Sequence, residues 1–178
     1  MEKIHYCNQC GSAQLTQQVP DGDTHSRIVC EKCHYIHYQN PKIITSCLPI
    51  WEDKVMLCKR AIEPCLGLWT LPGGYMENDE NLEEAAIRET WEEAGAKVNQ
   101  LQLYLVVSHP HRSVSMTFLG QLCDLKFAPG IESLDVQLFT QQEIPWKEIA
   151  FQFVNQALTY YFEDRIKGYF PIRKCDVL

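Results

Sequence analysis

The chain has 178 residues, of which 46% are hydrophobic and 22% are charged, a composition that excludes a disordered or low-complexity protein. Its apolar runs are too short to cross a bilayer, so no membrane association is expected. The formal net charge of −7 argues against broad nucleic-acid binding, which requires lysine and arginine to neutralise phosphates. A small phosphate-bearing substrate is still compatible with this charge, provided that a metal cation supplies positive charge at the site.

The N-terminal segment Met1–Cys7 has neither the apolar core of a secretory signal nor the arginine- and serine-rich character of a transit peptide. We therefore expect a cytoplasmic protein. In that compartment, the nine cysteines are expected to be thiols or metal ligands rather than disulfides.

Four cysteines form two C-x2-C pairs near the N-terminus, and nineteen residues separate the pairs. This spacing is typical of a zinc ribbon, in which two tight turns each present two thiolates to one tetrahedral ion. Four unrelated buried thiols are the alternative, and the paired spacing disfavours it. Because four protein ligands leave no open position, we predict a structural Zn²⁺ site. Its ligands would be Cys7, Cys10, Cys30 and Cys33.

The segment Gln39–Pro41 is the predicted boundary between a zinc ribbon, residues 1–38, and a larger domain, residues 39–178. Alternating apolar patterns in the larger domain predict strands, and a second helix is predicted over about 150–167, ended by Gly168. The strand segments read IITSCLPIW, VMLCKR, LWTLP, LQLYLVVS, SVSMTFLGQLCDL and LDVQLFT. The segments LQLYLVVS and SVSMTFLGQLCDL are predicted to form a hairpin around residues 109–111. Strands outnumber helices, which favours an α+β or α/β sandwich with a mixed sheet covered by helices.

The other five cysteines show no motif that brings them to a histidine partner. They are Cys47, Cys58, Cys65, Cys123 and Cys175. Several lie in apolar strand patterns, where cysteine behaves as a small hydrophobic residue. We interpret them as packing or inert thiols.

The first predicted helix spans Leu82–Ala94, begins at a capping box and ends at Gly95. Helical geometry places Glu89, Glu92 and Glu93 on the same side as small and apolar residues, so these carboxylates should face the body of the protein. Carboxylates about 4 Å apart repel by about 1–4 kcal/mol, so three together raise their own pKa or bind a cation. Carboxylate oxygens suit Mg²⁺ or Mn²⁺. An ordinary glutamate-rich surface helix is the alternative.

The pattern around this helix runs from Gly74 through Glu80 to RETWEEAGA, beginning at Arg88. It resembles the Nudix box at all seven glycine and charged positions, over 22 residues. The resemblance implies an α/β/α Nudix sandwich with a mixed sheet, and an enzyme that hydrolyses a diphosphate linkage to a nucleoside. It also implies that the Gly74 carbonyl, Glu89, Glu92 and Glu93 bind magnesium.

The same resemblance assigns further roles. Arg88 would orient Glu89, and Glu80 would form an ion pair or bind the metal indirectly. Family members often use an acidic residue beyond the box, and Glu132 is the best-placed candidate here, ahead of Asp135 and Glu143. The predicted catalytic residues are therefore Arg88, Glu89, Glu92 and Glu132.

Substrate contacts are less clearly marked in the sequence. Lys59 and Arg60 end a strand shortly before the box and are predicted to meet substrate phosphate, although a solvated strand end is equally compatible. Four aromatic residues are candidates to stack on a base, although most such residues lie in the core. They are Trp69, Tyr104, Phe118 and Trp146.

A four-cysteine ribbon joined to a Nudix domain is similar to NADH pyrophosphatases and to a group that includes plant FAD pyrophosphatases. The region after the box reads VVSHPHRSVSMTFLGQL and lacks the SQPWPFP-like motif of the NADH enzymes. The segments GLWTLPGGYME and FAPGIESLDVQLF are similar to the FAD group. This resemblance favours cleavage of FAD to FMN and AMP, with ADP-ribose or NADH as alternatives.

A function of another class is also open: the ribbon could be an interaction module joined to a Nudix domain that only senses a ligand. The complete acidic box argues against loss of activity. Nudix enzymes are often homodimers, and no interface can be identified from this sequence.

Overall fold

The computed structural model describes residues 4–109 and 113–176. The chain forms two compact units, Met1–Pro41 and Lys42–Leu178. In the first unit, three short strands pair antiparallel in the order β1-β2-β3. They are β1, Leu15–Gln18; β2, Arg27–Cys30; and β3, Ile36–His37. All three strands have only two to four residues, so their alternation leaves little local signal in the sequence.

The second unit is built on a mixed eight-stranded sheet with two helices. Its strands are β4, Lys42–Trp51; β5, Lys54–Arg60; β6, Trp69–Thr70; β7, Gly73–Tyr75; β8, Val98–His109; β9, Ser113–Leu122; β10, Ser133–Phe139; and β11, Arg173–Asp176. The sheet order is β10-β5-β4-β9-β8-β11, with β6 on β5 and β7 on β4. The pairs β4–β9 and β8–β11 are parallel, and the other pairs are antiparallel. The α+β prediction with a mixed sheet is confirmed.

The two helices are α1, Leu82–Ala94, and α2, Gln152–Lys167. Neighbouring residues of a strand point to opposite faces of a sheet. Leu48 and Leu57 pack in one core with Leu158 of α2. Cys47 and Met56 pack in a second core with the end of α1. The helices therefore cover opposite faces, which is the sandwich that the resemblance implied.

Helix α1 has the bounds that the sequence predicted, because both ends are fixed locally. The Asn81 side chain accepts hydrogen bonds from the amides of Glu83 and Glu84, and the Glu84 carboxylate accepts one from the Asn81 amide. Gly95 closes the helix in the left-handed conformation, with φ of 58°. Asn81 and Gly95 thus fix which α1 residues face the sheet.

Helix α2 begins two residues later than predicted, because Phe151 is still extended, with φ of −131°. Gly168 ends it as predicted. Strand β11 was not predicted. The predicted hairpin joins β8 and β9, and its tip at residues 110–112 lies outside the described residues.

Candidate active site

A cavity of about 560 Å³ lies between β7, helix α1 and the loop before β10, and we call it the first cavity. It brings together all the acidic residues to which the sequence analysis gave a catalytic or magnesium-binding role. The residues that matter here are Gly73, Gly74, Arg88, Glu89, Glu92, Glu93 and Glu132.

Strand β7 lines one side of this cavity with two glycines, Gly73 and Gly74. It pairs antiparallel with β4, placing Gly74 opposite Thr45 and Gly73 opposite Ser46. A Cβ atom on Gly73 would lie 2.5 Å from the Thr45 carbonyl oxygen, so only glycine fits against β4 there. The close pairing holds the β7 backbone directly beside the carboxylates of α1.

Arg88 is the central cation of the first cavity. Its Nε and Nη2 atoms donate to the two oxygens of Glu80, at 2.9 and 2.6 Å. Its Nη1 atom donates to Glu89 at 2.8 Å and to Glu92 at 2.9 Å, and Nη2 also donates to the Tyr75 carbonyl at 3.1 Å. One guanidinium thus orients three carboxylates, which only the planar fork of arginine can do. The predicted contact between Arg88 and Glu89 is present. The ion pair of Glu80 with Arg88 indicates that Glu80 has a structural role, which is to hold the guanidinium in place.

The carboxylates of the first cavity differ in burial. Glu93 is 7% exposed, Glu89 is half-buried, and the Glu92 side chain is 54% exposed. Burial raises the pKa of Glu93 to about 7, although the Gly73 amide donates to it at 3.3 Å. Burial also raises the pKa of Glu89, whereas hydrogen bonds from Arg88 lower the pKa of Glu80 to about 2. The inner pair, Glu89 and Glu93, therefore carries negative charge at an energetic cost that a bound cation would relieve.

Glu132 reaches the cavity because its loop docks on the end of α1. The amides of Ala128 and Gly130 each donate, at 2.9 Å, to carbonyl groups in the last turn of the helix. A side chain on Gly130 would overlap the Glu92 carbonyl, so the loop can approach this closely only through glycine. The exposed carboxylate of Glu132 is thereby placed opposite the helix carboxylates.

The two less favoured acidic residues lie outside the first cavity and make local contacts. Asp135 accepts hydrogen bonds from the Val136 amide and the Gln137 side chain. Glu143 accepts from the amide and hydroxyl of Thr140. Neither lines the first or the second cavity.

A second cavity of about 540 Å³ adjoins the first and shares Gly73, Gly74, Tyr75, Glu93 and Glu132 with it. Arg60 lines this second cavity, whereas Lys59 does not and lies over the Trp69 ring. Adjacent strand residues point to opposite faces, so only one of the two predicted phosphate contacts can reach the site.

None of the four aromatic candidates lines either cavity. Trp69, Tyr104 and Phe118 are buried in the core, and Trp146 is partly exposed elsewhere. The aromatic residues that do line the second cavity are Tyr75, His109, Phe151 and Phe153. They were missed because they come from β7, the end of β8 and the start of α2, and no local pattern connects them.

The donor set of the first cavity fits a hard divalent cation. It offers carboxylate oxygens and the backbone of Gly73 and Gly74, and burial raises the pKa of its most buried carboxylate, that of Glu93. Within residues 4–109 and 113–176, however, the three helix glutamates do not bring their oxygens all within 4.8 Å of one another. Arg88 holds the Glu89 and Glu92 carboxylates together at its Nη1 atom, while Glu93 accepts from the Gly73 amide instead.

The N-terminal unit contains a more compact cluster. The sulfur atoms of Cys7, Cys10, Cys30 and Cys33 all lie within 4.8 Å of one another, with closest pairs at 3.6 Å. Backbone amides, first that of Cys33, lower the pKa of Cys30 to about 6, which favours the thiolate that binds metal. Four thiolates at this spacing fit a closed tetrahedral site.

Of the other cysteines, Cys47 and Cys58 are buried in the core beside α1, as the packing interpretation expected. Burial raises the pKa of Cys47 to about 12, so this thiol is inert at neutral pH. No helix in the described part of the chain is long and apolar enough to cross a membrane.

Comparison with known families gives two matches. A model described as NUDIX domain matches residues 41–157, and a zinc-ribbon model described as Nudix N-terminal matches residues 5–39. One match falls in each compact unit of the chain.

Individual relatives agree with these matches. A crystal structure of a NUDIX hydrolase from Nitrosomonas europaea is 50% identical, with a TM-score of 0.91, and covers 98% of this chain and 100% of that one. An ADP-ribose pyrophosphatase of Methanocaldococcus jannaschii is 28% identical over 62% of this chain and 69% of its own length. The NAD-capped RNA hydrolase NudC of Vibrio parahaemolyticus is 26% identical over 81% of this chain, which spans 54% of that protein.

Proposed function

This chain belongs to the Nudix hydrolase family, and we propose that it is a metal-dependent pyrophosphatase that cleaves the diphosphate linkage of a nucleoside diphosphate derivative. The observation that carries the proposal is the first cavity, which Glu89, Glu92, Glu93 and Glu132 all line and in which Arg88 holds Glu89 and Glu92. Such a concentration of carboxylates suits the binding of a cation and, through the cation, of an anionic diphosphate.

Magnesium or manganese would be held by Glu89, Glu92, Glu93 and the carbonyl of Gly74. When bound, the ion would neutralise charge on the phosphate oxygens and lower the pKa of water. In the N-terminal unit, Cys7, Cys10, Cys30 and Cys33 would hold a structural zinc ion.

The protein residues have separable tasks in this proposal. Arg88 fixes the orientation of Glu89 and Glu92 through its Nη1 atom. Glu132 faces the same cavity from the opposite side and is exposed, so it can accept a proton from an attacking water. Arg60, on the wall of the second cavity, can contact a phosphate oxygen.

ADP-ribose is the first substrate candidate, with AMP and ribose 5-phosphate as products. The Methanocaldococcus jannaschii relative named for this activity supports that choice. FAD, cleaved to FMN and AMP, is the second candidate, supported by the segments GLWTLPGGYME and FAPGIESLDVQLF. NADH is the third, because the name of the Vibrio parahaemolyticus relative refers to an NAD cap, whose two nucleosides are likewise joined by a diphosphate.

The test is hydrolysis of ADP-ribose, FAD and NADH by the purified protein with Mg²⁺, with the products identified. Glu92→Gln and Glu93→Gln should each lower kcat by at least about 100-fold while the fold is retained. Glu83→Gln is the matched control, because Glu83 is exposed on the same helix and lines neither cavity. Absence of turnover on all three substrates would contradict the proposal and favour the ligand-sensing module.

A further inference from the structure

The second cavity differs in chemistry from the first. Its wall is largely apolar, with Ile44, Leu71, Phe151 and Phe153 among the lining side chains. The two phenylalanine rings stack on each other, with centroids 5.8 Å apart and an angle of 16° between their planes. Both rings are only partly buried, so part of their surface is left for a ligand.

Arg60 is fixed at the edge of this aromatic pair. Its guanidinium lies 5.2 Å from the Phe151 ring centroid, and its Nε atom donates to the Pro64 carbonyl at 2.8 Å. Among the described residues, it is the only lysine or arginine that lines the second cavity. A phosphate is therefore favoured near Arg60, whereas near the carboxylates that the two cavities share it would need a divalent cation between the like charges.

His109 and Ser115 supply polar groups near Phe153 in the wall of the second cavity. The His109 ring packs edge-on against Phe153, with centroids 5.9 Å apart, and its Nε2 atom lies 2.9 Å from the Ser115 hydroxyl. Burial lowers the pKa of His109, so this imidazole is neutral at pH 7. An uncharged planar ring with polar edges fits these walls, because its faces meet apolar surface and its edges can bond to neutral donors and acceptors.

Resting on the proposed function, we propose that the second cavity binds the uncharged aromatic base of the substrate nucleotide, which is adenine in ADP-ribose, with Phe153 as the specificity-determining contact. The diphosphate then crosses the residues that the two cavities share, from Arg60 to the helix carboxylates. The other half of the substrate lies in the first cavity, whose rim is open at Glu92 and at Ile131, the latter 98% exposed.

The test compares two ligands that differ only in the presence of the base. The affinities of AMP and ribose 5-phosphate are measured by calorimetric titration in buffer with Mg²⁺. Wild-type protein should bind AMP at least about tenfold more tightly, the contribution expected of one base on aromatic side chains. Phe153→Ala should remove this preference and should raise KM for ADP-ribose by about tenfold, with kcat changed by less than about threefold.

Two further variants separate recognition from folding. Phe153→Leu keeps an apolar side chain in the core and should also lose most of the preference for AMP. Tyr169→Ala, a change to an exposed aromatic residue that lines neither cavity, should keep the preference. The inference is overturned if wild-type protein binds both ligands equally, or if both Phe153 variants still prefer AMP.

These outcomes are distinguishable from failure of the proposed function. A protein that hydrolyses no diphosphate, yet binds AMP through Phe153, would refute the proposed function and retain the base site. If the protein hydrolyses ADP-ribose and both Phe153 variants have the KM of wild type, the base site would be refuted and the proposed function retained.

Discussion

The carboxylate of Glu89 lies directly against the backbone of Gly74: a Cβ atom built on Gly74 would be 2.6 Å from Oε1 of Glu89. The alanine variant must therefore displace the end of the Glu89 side chain, which is flexible and can move at little cost to folding. We expect Gly74→Ala to lower kcat by at least about tenfold, because a misplaced catalytic group costs far more in rate than in stability. Steady-state kinetics and a thermal melt, which should shift little, measure the two effects.

Gly73 provides the matched control. Its Cβ atom would meet the Thr45 carbonyl oxygen at 2.5 Å and the Ser46 α-carbon at 2.7 Å, and this backbone cannot give way. Gly73→Ala should therefore destabilise the second unit. If both variants lost stability equally, the interpretation of Gly74 as a site residue would be wrong.

Arg88→Lys tests the role of the guanidinium. A lysine ammonium cannot contact Glu80, Glu89 and Glu92 together, because it lacks the planar fork. We expect activity to fall by about 10–100-fold, the usual cost of removing a group that orients metal ligands. Arg165→Lys is the control, since Arg165 is exposed and, within the described part of the chain, its side chain donates a single hydrogen bond, to the Asp53 carbonyl. An equal loss in both variants would argue against the orienting role.

The raised pKa of Glu93 predicts that the free energy of unfolding depends on pH in buffer without added magnesium. Its folded-state pKa of about 7 lies above the ordinary value of 4.5, so its protonated form stabilises the fold. That contribution is complete below pH 4.5 and is lost as the pH rises through 7. The free energy of unfolding of Glu93→Gln, relative to wild type, should therefore rise between pH 5 and pH 8, by on the order of 3 kcal/mol.

Urea unfolding at the two pH values measures this difference. Added Mg²⁺ should stabilise wild-type protein at pH 8 more than it stabilises Glu93→Gln, because the ion replaces the proton. Parallel pH profiles for the two proteins would show that Glu93 is not strained by burial.

The four thiols predict that the N-terminal unit depends on its metal. The buried hydrophobic residues in its described part are Cys7, Val29 and Cys30, too few for a core of useful size. Cys7→Ala should remove the zinc and unfold this unit. Metal analysis and hydrogen exchange should show zinc loss and lost protection in residues 4–41, with protection retained in 42–176. Full protection of the first unit in a zinc-free variant would contradict the prediction.

The parts of the site that the sequence predicts are those fixed by local rules. Asn81 and Gly95 fix the ends of α1, and helical spacing then determines where Glu89 and Glu93 point. The second cavity could not be predicted in this way, because Phe153 meets His109 only through the tertiary packing of α2 on β8. Lys59 and Arg60 show the same limit on a smaller scale: the strand was evident, but which of the two residues faces the cavity depends on the sheet.

Strand β11 is a further element without a local signal, and a buried ion pair accounts for its place. Arg173 of β11 donates two hydrogen bonds to Asp164 of α2, at 3.0 and 2.6 Å, and the Tyr104 hydroxyl of β8 donates a third at 2.8 Å. Hydrogen bonds from Arg173 hold the pKa of Asp164 below its ordinary value of 3.8. Its stabilising contribution is thus complete above pH 3.8 and is lost as the pH falls through the folded-state pKa.

Asp164→Asn should lower the free energy of unfolding by about 2 kcal/mol at pH 7, because it replaces charge-assisted hydrogen bonds with neutral ones. The difference from wild type should shrink as the pH falls below 3.8, because the unfolded wild-type chain then takes up a proton at this carboxylate while the folded protein still resists protonation. Urea unfolding at pH 7 and at pH 3 measures it, with Glu163→Gln, an exposed neighbour on α2, as the control. A difference that stayed constant between the two pH values would mean that the carboxylate charge does not hold β11 in place.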